Sequence, residues 1–180
     1  MNRLHRIGHS APQDIAVAVP MDGFHYTRSF LAQMPDPENA IHRRGAAFTF
    51  DAEGFCALVR ALRDPIDGKP VRAPTFDHSV KDPVTDAIEI PTSSRIVILE
   101  GNYVSLDVEP WRSAARLMDE RWFVQIDRKV ARDRLAARHV ASGIVADLEA
   151  AYARVDSTDS LNGDEIFAKL LDVDEVVTGE

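Results

Sequence analysis

The residues best equipped for chemistry are Asp22, Gly23, Phe24, His25 and Tyr26, directly after the apolar run Ile15 to Val19 and Pro20. A carboxylate, an imidazole and a phenol beside a glycine that permits close approach could deprotonate and grip a hydroxylated small molecule. The same residues also read as a plain turn whose Asp caps something and whose aromatics pack inward. Two more acids follow apolar runs in the same manner: Glu100 after Arg95 to Leu99, and Asp127 after Trp122 to Ile126. Arg128, Arg132, Arg134, Arg138 and His139 form a cationic island in a chain of net charge −8. That island suits a multiply charged anion, or else is a solvated helix face tied by i, i+4 pairs. Asp77, His78, Lys81 and Asp82 crowd one loop, where they line a pocket or solvate a hairpin tip.

Elements must hold these groups in place. Ile15 to Val19 lacks alternation and is rich in β-branched residues, which predicts a parallel-type strand buried on both faces. In open α/β sheets, ligands sit past the carboxyl ends of such strands, where Asp22 falls. Further strands are predicted at 95–99, 122–126 and 173–177, with a pair of extended segments at 70–76 and 87–90. Asp51 predicts the start of a helix over 52–63, whose apolar stripe is Phe55, Leu58, Val59 and Leu62. Helical patterns also cover 111–118, the stretch from Lys129, 147–155 and 165–171. Residues 27–39 show no clear periodicity, and 157–163 reads as a polar turn. Met1 to Ile7 looks like the tail of a helix.

Composition narrows the class. With 180 residues and no internal repeat, the chain reads as one domain. An excess of 29 acidic over 21 basic residues argues against nucleic acid or an anionic membrane as partner. The lone Cys56 lies in an apolar helical pattern and predicts a core thiol in a reducing compartment. With no apolar run of about 20 residues and no signal-like N-terminus, a cytoplasmic protein is expected.

Taken together, the segments VPMDGFHY at 19–26, RRGAAFTFD at 43–51, APTFDHSVKDPV at 73–84, IVILEGNY at 96–103 and RLAARHVASGI at 134–144 resemble one family. It is the P-loop kinases of the uridine kinase, phosphoribulokinase and pantothenate kinase type. DSLNG at 159–163 is consistent with it. The resemblance implies a three-layer α/β/α fold with a parallel sheet and helices on both faces. It implies phosphoryl transfer from ATP, with Mg2+, to a hydroxyl of a small metabolite. Asp22 then matches the base toward the acceptor hydroxyl, Glu100 the acid near magnesium, and Arg134 and Arg138 the lid over the phosphates. His25, Tyr26, Arg44, Asp77 and His78 fall where the family builds its acceptor pocket. Asn162 falls on the nucleotide side.

One part of the family's pattern is missing. The sequence G-x-x-x-x-G-K-S/T, whose backbone cradles phosphates, occurs nowhere in these 180 residues. The expectation is therefore a domain lacking its first strand and phosphate loop, with a gap between the strands at 96–100 and 123–127. Two functional readings follow: a kinase whose activity needs that element, or a non-catalytic remnant serving as a binding module. A dinucleotide-binding oxidoreductase is excluded, because no G-x-G-x-x-G follows a strand.

Overall fold

The computed structural model describes residues 15–64 and 68–179. The helical tail expected at Met1 to Ile7 lies outside them. β1 (Ala16–Pro20) pairs in parallel with β4 (Ile96–Glu100), in a register running from Ala16 opposite Ile96 to Pro20 opposite Glu100. β5 (Trp122–Gln125) pairs in parallel with β6 (Glu175–Thr178). β2 (Val71–Asp77) and β3 (Asp82–Ile90) form an antiparallel hairpin. All four expected parallel strands exist, as two separate ladders. Among the described residues none pairs β4 with β5, and a groove of about 840 Å3 lies between them.

α3 (Ala52–Arg63) forms as its sequence dictates, with the Asp51 carboxylate accepting from the Gly54 amide at 2.9 Å. Its buried Phe55, Cys56, Leu58 and Val59 pack with Trp111 and Ala114 of α4 (Trp111–Ala115). Val17, Val19, Val97 and Leu99 of β1 and β4 join the same core. The period of two turns the alternate residues away, leaving Ile96 and Ile98 45% and 36% exposed. The expectation of strands buried on both faces is thus met on one face only among the described residues. Cys56 is a fully buried thiol, and burial pushes its pKa up.

α5 (Arg128–Ala141) and α6 (Leu148–Ser157) share a smaller core of Ala136, Ala151 and Val155. α7 (Asp159–Ala168) follows directly and meets β5 through the Phe123 and Phe167 rings, 5.5 Å apart. Two expectations are corrected here. Residues 159–163 are helical, because Thr158 bends the chain without ending it: its hydroxyl donates to the Arg154 carbonyl at 2.8 Å. Residues 27–39 contain α1 (Arg28–Leu31) and the first half of α2 (Pro37–His42), one or two turns each. These are specified by caps instead of periodicity: Thr27 Oγ1 accepts from the Phe30 amide and Asp36 from the Asn39 amide. No helix among the described residues is long and apolar enough to cross a membrane.

Candidate active site

Asp22 stands where β1 delivers it. Pro20 ends the ladder opposite Glu100, and a 3-10 turn, Met21–Phe24, follows. Met21, Gly23 and Phe24 point inward, which leaves the Asp22 side chain 55% exposed at the carboxyl end of the strand pair. Two glycines make this possible by close approach. A Cβ on Gly23 would lie 2.3 Å from the Pro74 carbonyl oxygen of β2, and one on Gly101 would lie 2.4 Å from Met21 Cβ. Gly23 therefore brings the turn against protein backbone, and Gly101 lets the end of β4 sit beside it. Asp22 and Glu100 accordingly share one end of the β1–β4 ladder, as the sequence leads one to expect.

His25 is held between Phe50 and Phe76, with ring centroids at 4.0 and 4.9 Å. Its Nδ1–H donates to the Asp22 carbonyl at 2.8 Å, which fixes the tautomer and leaves Nε2 as the ring acceptor. Burial holds its pKa below the ordinary 6.5; Arg44 and His78 add to that, while the Asp22 carbonyl and carboxylate oppose it. The folded state thus favours neutral imidazole. Its contribution to stability is complete above about pH 6.5 and is lost as pH falls through the depressed folded value. The melting temperature of the parent chain should fall between pH 7 and 5 more than that of a His25→Phe variant, and parallel declines would contradict this.

Arg44 serves the scaffold. Its guanidinium donates to the carbonyls of Lys81 at 2.6 Å and Tyr26 at 2.9 Å and to Asp82 Oδ1 at 2.9 Å. The same Asp82 oxygen accepts from the Arg28 amide at 2.9 Å. Asp82, singled out in the sequence only as part of a crowded loop, is the pin that holds the hairpin tip to the Asp22 segment. Asp77 closes its own turn, accepting from the Ser79 amide and hydroxyl at 2.7 and 2.6 Å, and these bonds lower its pKa. His78 packs edge-on to Phe76. Tyr26 stacks on Phe30 with centroids 4.2 Å apart.

Of the remaining candidates, Glu100, Arg138 and Asn162 meet at the groove between β4 and β5, and Arg134 does not line it. Glu100, Asn102, Arg128, Lys129, Arg138 and Asn162 all line it. Asn162 is 8% exposed, and its Oδ1 accepts from Arg43 Nη2 at 2.9 Å. Arg134 lies one turn before Arg138 on the exposed side of α5. Within the helical unit Arg132 bonds Asp156 at 2.7 and 2.8 Å, Lys129 bonds Asp133 at 2.7 Å, and Arg128 bonds Asp164. Asp127 caps α5, accepting from the amides of Lys129 and Val130. The Arg43–Asn162 and Arg44–Asp82 links join positions 119 and 38 apart, and nothing in the local sequence signals them.

No family profile matches the chain. It is 56% identical over 161 residues to the ATP-dependent kinase-like protein notR' of Aspergillus versicolor, an alignment covering 88% of this chain and 94% of that protein. The crystal structure of YFH7 from Saccharomyces cerevisiae, provisionally described as a P-loop containing kinase with a circular permutation, superposes with a TM-score of 0.81. It is 33% identical, over 92% of this chain and 58% of that one. This chain belongs to the P-loop kinases. A Schizosaccharomyces pombe relative provisionally named a uridine kinase is 42% identical over 83% of this chain and 63% of its own length. The chain thus spans nearly all of the Aspergillus protein and less than two thirds of these two yeast relatives. The α/β architecture is that of the P-loop kinases, with the two parallel ladders flanking the groove.

Proposed function

We propose that this P-loop kinase domain transfers the γ-phosphoryl group of ATP to a hydroxyl of a small metabolite, in the manner of the uridine kinase, phosphoribulokinase and pantothenate kinase type. One observation carries the proposal: Asp22 and Glu100 stand at the same end of two registered parallel strands, and Glu100 lines a groove that also takes Arg128, Lys129 and Arg138. Asp22 accepts the proton of the acceptor hydroxyl, which approaches from the side of His25 and Tyr26. Arg44, Asp77 and His78 hold the hairpin that walls that side.

The groove's donor set fits a magnesium nucleotide in charge. Arg138 offers its guanidinium to phosphate oxygens, Arg128 and Lys129 add positive charge to the same wall while paired with Asp164 and Asp133, and Arg134 approaches from the exposed side of α5. Glu100 is a carboxylate ligand for Mg2+, which binds characteristically through one or two carboxylates with phosphates and water. When bound, Mg-ATP supplies the electrophilic phosphoryl group. Asn162, held by Arg43, fixes the wall of the groove on the nucleotide side. The two strand edges facing the groove are where a strand leading into a phosphate loop fits, and these 180 residues contain no G-x-x-x-x-G-K-S/T.

The test is ADP formation by the chain joined upstream to a strand, phosphate loop and helix. The proposal expects release that requires magnesium and is accelerated by an alcohol acceptor. ADP formation indifferent to both would overturn it.

A further inference from the structure

A recess of about 490 Å3 opens beside the Asp22 segment, lined by Tyr26, Phe30, Gln33, Met34, Pro35 and Phe48. Its construction is specific. α1 turns Leu31 fully inward and Phe30 outward, so that Phe30 is 48% exposed and stacked on Tyr26 with 22° between the ring planes. Phe48, also 48% exposed, is stitched to the same wall, because the Tyr26 amide donates to the carbonyl of the adjacent Thr49 at 2.9 Å. A single exposed Phe needs no explanation. Here three rings converge on one concavity whose wall begins four residues after the proposed base.

The recess offers few polar side chains. Gln33 contributes its amide, whose Nε2 already donates to the Ser29 carbonyl at 3.1 Å, and Tyr26 contributes one hydroxyl. A nucleobase edge or a polyol would surrender more hydrogen bonds to water here than it regains. A flat apolar ring, by contrast, can stack on Tyr26 and Phe30 and against Phe48, Met34 and Pro35. The volume lies within the range of small-molecule sites.

We propose that this recess seats a planar apolar ring, and that the acceptor of the kinase is an alcohol carrying such a ring. The acceptor role rests on the phosphoryl-transfer reading; the ring seat does not. The seat also sets specificity, because removing an apolar surface from such a site changes discrimination by roughly tenfold or more.

The experiment is saturation-transfer NMR on this chain without nucleotide, using 2-(2-naphthyl)ethanol, uridine and glycerol as probes. The expected result is naphthylethanol binding at least roughly tenfold tighter than either of the others. Phe48→Ala and the milder Phe48→Leu should both weaken it, the alanine variant by roughly tenfold. Both substitute a half-exposed side chain. Ile41→Ala, on exposed α2 and outside the recess, should bind as the parent does. Equal affinity for naphthylethanol and uridine, or binding unchanged in both Phe48 variants, would overturn the proposal. No phosphoryl transfer is read in this assay, so failure of the ring seat and failure of the kinase reading are distinguishable.

Discussion

Asp22→Asn, placed in a fusion of this chain to an upstream strand and phosphate loop, should lower kcat by about 10²–10⁴-fold while ATP affinity stays within about twofold. The reasoning is local. The turn buries Met21 and Phe24 and leaves the carboxylate outward, so the isosteric amide preserves packing and removes only the proton acceptor. The Asp22 carbonyl, which anchors His25, is untouched by the substitution. Arg138→Ala and Arg134→Ala should also reduce kcat, since charge on the transferring group is greatest in the transition state. Steady-state kinetics on the three variants checks this. Parent-like turnover in Asp22→Asn would remove Asp22 from the role of base, and parent-like turnover in both arginine variants would leave α5 a solvated face.

The second large effect concerns stability. The sequence leads one to expect that a gap in the middle of the sheet costs free energy through unpaired backbone groups. The structure changes the reason. Among the described residues the gap stays open as a groove, so water can reach the edges of β4 and β5, and the larger cost is exposed apolar surface: Trp122 at 62%, Val124 at 67%, Ile96 at 45% and Ile98 at 36%. Covering much of that surface is worth about 3–5 kcal/mol. Joining the strand, phosphate loop and helix upstream should therefore raise the melting temperature by roughly 6–20 °C. The 180-residue chain alone should be marginal and prone to associate through its open strand edges. Calorimetry and light scattering on the two forms decide it. A monodisperse 180-residue chain with the same melting temperature as the fusion would show that the groove does not take a strand.

The sequence was most legible where a local rule acts alone. Asp51 before an apolar stripe gives α3, and runs such as Ile96–Leu99 give strands whatever their neighbours. Pairing was not legible in that way, because the unbroken apolar character of β4 reports the burial it is suited to and not the neighbour present. Ile96 and Ile98 look like core residues and stand exposed, Ile98 in the wall of the groove. The short helices α1 and α2 were missed because one turn has no period, although Thr27 and Asp36 announce them as caps.

At the site, residue types were readable and their partners were not. Asp22 and Glu100 declare themselves by ending strands. Arg44 sits in a segment that suggests an acceptor pocket, yet its Nη1 and Nη2 donors are taken by Lys81, Tyr26 and Asp82, a link that only the docked hairpin creates. Gly23 suggests room for a ligand, and the room is filled by the Pro74 carbonyl of β2. The recess beside Phe30 and Phe48 has no motif at all. It exists because the segment leading into a one-turn helix is stitched to residues 49–51 through two backbone hydrogen bonds, Tyr26 amide to Thr49 carbonyl and Asp51 amide to Phe24 carbonyl.

The most direct measurement of the central claim is where the label goes when the chain fused to an upstream strand and phosphate loop turns over ATP labelled in the γ-phosphate in the presence of an alcohol. The account predicts a phosphate monoester on the alcohol, formed in a single turnover by the parent and slowed by about 10²–10⁴-fold in Asp22→Asn. Label appearing solely as inorganic phosphate, or the ester forming equally fast in both proteins, would contradict it.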